Sequence, residues 1–85
     1  MIRLSYTIQD PQGIHARPAG ALVKTAAQFK SACKVEGNGK TGDLKRIFTV
    51  MAMGIKAGME ITVTVEGPDE KEAAAAVEAF LKENL

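Results

Sequence analysis

Two segments of the chain alternate between apolar and polar residues, and this alternation constrains the fold more than any other feature of the sequence. The apolar positions are Ile2, Leu4, Tyr6 and Ile8 in MIRLSYTI, and Met59, Ile61, Val63 and Val65 in MEITVTVEG. Successive side chains of a strand point to opposite faces, so each segment predicts a strand with one buried face. Such strands belong in an antiparallel sheet that helices cover on one side only.

Three other stretches have helical patterns. Apolar residues recur at helical spacing over residues 16–29. RIFTVMAM predicts a short second helix, for which Gly54 is a suitable C-cap. The third helix begins at Asp69, where Glu72 completes a capping box, and it ends near Asn84.

A hairpin is predicted in SACKVEGNGKTGDL, with Asn38 and Gly39 at the centre of its turn. A type I′ turn needs positive φ at both central positions, and these two residue types tolerate it best. The element order is therefore β-α-β-β-α-β-α, a two-layer α+β sandwich. The order of the strands within the sheet stays open at this point, because a ferredoxin-like layout begins with the same six elements.

Length and composition narrow the class of protein. The 85 residues suffice for a single domain over 1–85, and the net charge of +1 predicts no nucleic-acid partner. No apolar run approaches the roughly 20 residues of a membrane helix, so we expect no membrane insertion. The one cysteine, Cys33, fits a reducing, cytoplasmic location and is interpreted as a buried apolar side chain. No cluster of residue types suggests a metal or a cofactor.

The only histidine, His15, stands in GIHARPAG, where a loop becomes the first helix. The backbone N–H groups of Ala16 and Arg17 have no acceptor within that helix, and the helix dipole adds positive potential there. An anion beside His15 would be bound by these groups and by the Arg17 guanidinium. A neutral imidazole is nucleophilic, and a phosphoryl group on it would lie among these donors. The segment predicts a phosphohistidine site; the plain alternative is a surface histidine beside a solvated arginine.

GIHARPAG resembles the active-site segment of the HPr family, the histidine-containing phosphocarrier proteins of the bacterial phosphoenolpyruvate:sugar phosphotransferase system. The resemblance extends over the whole chain, through the GNGK hairpin, the segment DLKRIFTVMAMGIKAG and the helix start EGPDEKEA. It implies an open-faced β-sandwich, in which a four-stranded antiparallel sheet of order 1-4-2-3 carries three helices on one face. We expect a monomer that is a covalently phosphorylated intermediate and not an enzyme.

The resemblance also implies roles for individual residues. His15 would be phosphorylated on Nδ1 by phospho-enzyme I and would pass the group to IIA domains of sugar permeases, while Arg17 would contact the phosphoryl group. Enzyme I and the IIA domains would dock on the first two helices, and the matching positions are Ala16, Gly20, Ala21, Lys24, Ile47, Phe48 and Met51. The last three would form a small exposed apolar patch, although their spacing is equally compatible with a core face.

One position departs from the family. Many Gram-positive members carry a regulatory serine directly after the lysine of DLK, and this chain has Arg46 there. Because arginine cannot accept a phosphate, we expect neither phosphorylation by HPr kinase nor the regulation that depends on it. Two other functions stay open: a regulatory module of another phosphotransfer branch that uses the same His15 chemistry, and an α+β binding module without phosphorylation.

Overall fold

Four strands and three helices follow one another in the predicted order. In the computed structural model, which describes residues 1–85, they are β1 (Ile2–Thr7), α1 (Ala16–Ala27), β2 (Ala32–Gly37), β3 (Lys40–Asp43), α2 (Ile47–Ala52), β4 (Glu60–Glu66) and α3 (Glu70–Asn84). The strands lie side by side in the order β1-β4-β2-β3, and every neighbouring pair is antiparallel. This confirms the strand order that the resemblance implies.

The apolar face of the sheet carries the core. Val35 of β2 and Val63 of β4 lie opposite each other and are fully buried, and Leu4 of β1 lies opposite Val63 on the other side. The core also takes Leu22 from α1, and all three helices contribute to one apolar cluster. The other face of the sheet is polar and uncovered, as the alternation predicts. No helix in the structure is both long and apolar enough to cross a membrane.

The helix ends and the hairpin follow from backbone chemistry. Asn38 and Gly39 have φ values of 53° and 73°, which confirms a turn with positive φ at both centres. α2 ends at Ala52 and its C-cap is Met53, one residue before the predicted C-cap Gly54, which follows with a φ of 66°. α1 ends at Ala27, two residues before the predicted end, because the amides of the next two residues already bond to acceptors three positions back.

The start of α3 corrects one prediction. Asp69 is the N-cap, but its side chain makes no capping hydrogen bond, and Glu72 completes no capping box. The Asp69 carboxylate turns away from α3 and accepts hydrogen bonds from the backbone amides of Lys30 and Ser31 (both 2.9 Å) and from Ser31 Oγ (2.5 Å). The capping pattern is therefore present in the sequence, while the carboxylate it needs is used to hold the loop that follows α1.

Candidate functional site

His15 lies at the N-cap of α1, as predicted. Its backbone is extended, its carbonyl accepts the first hydrogen bond of the helix from Ala19 (2.9 Å), and its side chain is 36% exposed. No oxygen of the protein accepts from the amides of Ala16 or Arg17, and the first turn contains no acidic residue. An imidazole therefore stands beside two available N–H donors at the positive end of a twelve-residue helix.

The loop before α1 places the histidine. Gly13 is buried and has a φ of 67°, and a Cβ there would collide with the carbonyl of Ile55. The amide of Ile14 donates to that same carbonyl (3.1 Å), and the buried Ile14 side chain belongs to the core. Only glycine allows this close approach of two chain segments. The loop that follows α2 is thus held against the segment directly before His15 through one carbonyl group.

Arg17 lies in the first turn of α1 and is exposed. It lines an open cavity of about 310 Å³ together with His15, Ala21 and, from the end of α3, Phe80 and Asn84. Arg17 forms no ion pair within the protein, so its guanidinium is available to an anion in this cavity. The imidazole and one permanent cation therefore line a single open space, at the helix end whose first two amides are free.

Asp10 is the site residue that sequence reasoning missed, because the segment DPQG, residues 10–13, indicates by itself only a turn. Its Oδ2 atom lies 3.6 Å from His15 Nε2, and it lines the same cavity. The signal in the sequence is DPQG itself. Asp10 Oδ1 accepts a hydrogen bond from the amide of Gln12 (2.9 Å), which is the Asx turn that such a segment favours and that folds Asp10 back toward the helix start. Phe80 and Asn84 carry no local signal, since only tertiary packing brings α3 here.

The predicted docking residues fall into two groups. Ala21 shares the cavity with His15, whereas Gly20 faces α2, where a Cβ would lie 3.4 Å from Ile47 Cδ1. On α2, Ile47 is half-buried against the core, while Phe48 is 85% and Met51 40% exposed. The core-facing residue of this short helix is Val50. The side chains of Phe48 and Met51 are therefore exposed apolar groups, and Ile47 connects them to α1.

Charged groups border the exposed side chains of α2. Lys24 is exposed in the last turn of α1. Arg46 is the N-cap of α2, its side chain is 77% exposed, and its Nε atom lies 3.8 Å from Asp43 Oδ2. The other oxygen of Asp43 accepts from the amide of Lys45 (2.9 Å). Asp43 thus offsets part of the repulsion between the Arg46 cation and the positive end of α2.

Cys33 is buried, on the core face of β2 with Val35, and burial raises the pKa of its thiol. A protonated thiol in the core is a weak nucleophile, so Cys33 behaves as an apolar side chain there. This agrees with the interpretation from the sequence.

Comparison with known proteins gives one consistent result. The family model of PTS-HPr, described as the PTS HPr component phosphorylation site, matches residues 2–83. The phosphocarrier protein HPr of Mycoplasma genitalium is 44% identical, with 99% of this chain and 97% of the relative covered.

Solved structures share the fold as well as the sequence. A mycoplasma histidine-containing phosphocarrier protein is 41% identical, with a TM-score of 0.94 over 96% of this chain and 93% of that one. HPr-C-His of Thermoanaerobacter tengcongensis is 34% identical, with a TM-score of 0.92 over 98% and 93% of the two chains. The chain therefore belongs to the HPr family of phosphocarrier proteins of the phosphotransferase system.

Proposed function

We propose that the protein is a phosphocarrier that accepts a phosphoryl group on His15 from phospho-enzyme I and passes it to IIA domains of sugar permeases. The group comes originally from phosphoenolpyruvate. The supporting observation is the position of His15 at the N-cap of α1, beside the free amides of Ala16 and Arg17 and in one cavity with the Arg17 side chain. The protein is then a substrate that is modified and restored at each transfer, and not an enzyme.

The chemistry of a carrier fits this site. The exposed fraction of His15 allows a donor and then an acceptor to approach the same imidazole from solvent. The three oxygens of a phosphoryl group on the ring would accept from the two amides and from Arg17, which are held in place before the group arrives. A cytoplasmic location follows from these partners and suits the free thiol of Cys33.

Phosphorylation with phosphoenolpyruvate, Mg²⁺ and enzyme I tests the proposal. We expect one acid-labile phosphoryl group per chain, detected by intact mass and by ³¹P NMR. His15→Ala should accept none. Gln12→Ala changes an exposed side chain that forms no hydrogen bond and keeps the backbone amide, so it should accept the group at the wild-type rate. A wild-type protein that stays unmodified, or a His15→Ala protein that is labelled, would contradict the proposal.

We place the docking surface for enzyme I and the IIA domains on Ala16, Gly20, Ala21 and Lys24 of α1 and on Ile47, Phe48 and Met51 of α2. The exposure of Phe48 supports this, because a large apolar side chain in full contact with water gains most from burial in a complex. Phe48→Ala should weaken the affinity for enzyme I about tenfold, which corresponds to about 1.4 kcal/mol. Isothermal titration would measure it, and the free energy of unfolding should change by less than about 0.5 kcal/mol.

The Arg46 cation lies directly before this surface, so we propose that it favours acidic partner surfaces. Arg46→Glu should bind enzyme I more weakly and with less dependence on salt than the wild type. Lys71→Glu is the matched control, because it makes the same charge change at an exposed position of α3. Equal affinities for Arg46→Glu and the wild type would contradict the role of Arg46.

We also propose that regulation through a phosphoserine after DLK is absent. With HPr kinase and ATP the protein should stay unmodified, because Arg46 has no hydroxyl and the only serines are Ser5 and Ser31. Ser31 is fully buried, and its hydroxyl is hydrogen-bonded to Asp69. Mass spectrometry that located a phosphoserine at either position would contradict this. Size-exclusion chromatography should give the mass of a monomer.

A further inference from the structure

The carboxylate of Asp10 is the only acidic side chain within ion-pair distance of the histidine ring. Its Oδ2 atom lies 3.6 Å from His15 Nε2, and the side chain of Asp10 is 25% exposed. The one other charged group lining the cavity is the Arg17 guanidinium. The two charges of opposite sign belong to the two segments on either side of His15 in the chain. The ring therefore lies in an asymmetric electrostatic environment.

The position of Asp10 is fixed by the loop and not by the histidine. Its Oδ1 atom is already used by the amide of Gln12, and its carbonyl accepts from the amide of Gly13 (2.8 Å). Its own amide donates to the carbonyl of Leu85 (2.9 Å). With three of its polar groups committed to the backbone, Asp10 has one free oxygen, Oδ2, and this oxygen is directed at the imidazole.

A neutral imidazole carries its proton on one of two nitrogens, and the neighbour of each nitrogen decides which. A carboxylate beside Nε2 favours the proton on Nε2, because it attracts an N–H group and repels a lone pair. The lone pair is then on Nδ1. At 3.6 Å the contact is electrostatic and longer than a hydrogen bond. Contacts at reacting groups are often long before the partner binds and shorten in the complex.

We propose that Asp10 is a positioning residue that holds the proton of His15 on Nε2 and so leaves Nδ1 as the nitrogen that accepts the phosphoryl group. This rests on the proposed function of His15. In the step, the Nδ1 lone pair forms the bond to phosphorus, and the bond from phosphorus to the donor atom of enzyme I breaks with its electron pair staying on the donor. The Nε2 proton remains in place throughout.

The charges created by this step match the two groups in the cavity. The phosphorylated ring keeps the Nε2 proton and gains positive charge, and Asp10 faces that nitrogen. The negative charge is on the phosphoryl oxygens, which the free amides at the helix N-terminus and the Arg17 guanidinium would bind. Asp10 thereby stabilises the positive charge of the ring, as Arg17 stabilises the negative charge of the phosphoryl group. It touches neither the phosphorus nor the donor.

Asp10→Asn is the sharpest variant, because the loop decides how the new amide is oriented. The amide of Gln12 needs an acceptor, so the Asn oxygen takes the place of Oδ1, and the NH₂ group faces His15 Nε2. An N–H donor at that point favours the lone pair on Nε2 and the proton on Nδ1. The fold and the turn are kept while the preference of the ring is reversed. Asp43→Asn is the matched control, since Asp43 forms the same kind of turn with Lys45 far from the histidine.

The tautomer is read from ¹⁵N NMR of the unphosphorylated ring at a pH where it is neutral. We expect the Nε2–H form in the wild type and in Asp43→Asn, and mainly the Nδ1–H form in Asp10→Asn. If the reactive tautomer falls to about a tenth of the molecules, the rate of phosphorylation by enzyme I falls about tenfold. Asp10→Ala should have a tautomer ratio and a phosphorylation rate between those of the wild type and Asp10→Asn.

A tautomer ratio that Asp10→Asn leaves unchanged overturns the proposal, whatever the transfer rate. A shifted ratio with an unchanged transfer rate also overturns it, because the lone pair on Nδ1 would then not limit the reaction. The failure of the proposed function gives a different result. In that case the wild type accepts no phosphoryl group from enzyme I, while the ring still shows its tautomer preference.

Discussion

The N-termini of α1 and α3 have opposite surroundings, although the helices are similar in length and lie side by side in one layer. α1 begins with His15, has Arg17 in its first turn and carries no acidic residue there. α3 begins with Asp69 and has Glu70 and Glu72 in its first turn. Both ends carry the same partial positive charge from the backbone. At α3 the carboxylates of Glu70 and Glu72 in the first turn oppose this positive charge.

The difference shows what turns a helix end into a site. Acidic residues near a helix N-terminus stabilise the fold by satisfying its positive potential, and they exclude a further anion by repulsion. α1 lacks that stabilisation and adds a cation, so its N-terminus is a less stable arrangement that a bound anion would improve. The N-terminus of α1 can therefore attract an anionic ligand, whereas the acidic residues at the N-terminus of α3 repel one.

Making α1 resemble α3 should have the largest effect. Arg17→Glu should slow phosphoryl transfer to His15 by about 100-fold or more, because one stabilising donor is lost and a repelling charge takes its place. The same change should raise the free energy of unfolding by about 0.3–1 kcal/mol, since the new carboxylate favours the helix start. Rapid-quench transfer from phospho-enzyme I and urea unfolding measure the two quantities.

Arg17→Ala separates the two contributions. Phosphoryl transfer to His15 should be faster in Arg17→Ala than in Arg17→Glu and slower than in the wild type. Its free energy of unfolding should lie between those of the other two proteins. Arg17→Lys should recover part of the rate, because it restores the charge without the two-pronged guanidinium. A loss of stability in Arg17→Glu would show that Arg17 supports the fold, and the comparison of the two helix ends would then be wrong.

The start of α3 should respond to acid and not to phosphoryl transfer. The hydrogen bond from Ser31 Oγ, with those from the amides of Lys30 and Ser31, lowers the pKa of Asp69 from its usual 3.8 to about 2. A carboxyl whose pKa is lower in the folded state stabilises the protein above its unfolded pKa. That contribution is lost as the pH falls from about 5 to 2.

Asp69→Asn should therefore be less stable than the wild type at neutral pH, and the difference should narrow below about pH 5. Ser31→Ala removes the hydrogen bond from Ser31 Oγ to Asp69. The difference in stability between this variant and the wild type should also narrow below about pH 5, but to a smaller extent. Urea unfolding at a series of pH values measures this. A difference that stays constant down to pH 2 would show that the Asp69 carboxylate is not preferentially stabilised in the fold.

The interior of the two helices offers a milder test. α3 contains a run of four alanines, from Ala73 to Ala76, whereas α1 contains Gly20. Gly20→Ala should raise the free energy of unfolding by up to about 1 kcal/mol, because alanine is the better helix former. The new Cβ meets Ile47 Cδ1 at 3.4 Å, an ordinary contact. Thermal unfolding measures the gain, and a lower melting temperature would show that α1 and α2 cannot adjust to the methyl group.

The smallest expected effect comes from giving α3 a cation. Glu72→Lys should lower the free energy of unfolding by about 0.3–1 kcal/mol, since a positive charge in the first turn opposes the helix dipole. Phosphoryl transfer to His15 should not change. Raised salt should reduce the loss of stability, because Glu72 is exposed. A variant with a changed transfer rate would mean that the two helix ends are electrostatically coupled.

The sequence predicts the two ends unequally well, for a physical reason. The α1 end is readable because its parts are adjacent in the chain: histidine, two free amides and arginine follow one another in GIHARPAG. The strand faces and the hairpin are readable for the same reason, since period and turn chemistry are local. The resemblance supplied the strand order, which the elements alone leave open.

What the sequence could not reveal depends on contacts between distant segments. The residues around Asp69 fit a capping box, yet its carboxylate bonds to the loop at Lys30 and Ser31. Asp10 reads as a turn residue until the fold places it against His15. In both cases an acidic side chain has two possible partners, one local and one remote, and only the packed structure decides between them.

The strand order has a consequence for how the chain is made. β4 lies between β1 and β2, and Ile2 pairs across from Val65, so β1 waits for a partner strand that is synthesised much later. Until then β1 has no neighbour in the sheet, and its half-buried apolar face has no complete core to join. Because pairing of such distant segments slows folding, we expect the nascent chain to depend on the late emergence of β4 for its first stable structure. His15 is thus synthesised before the sheet on which α1 packs is complete.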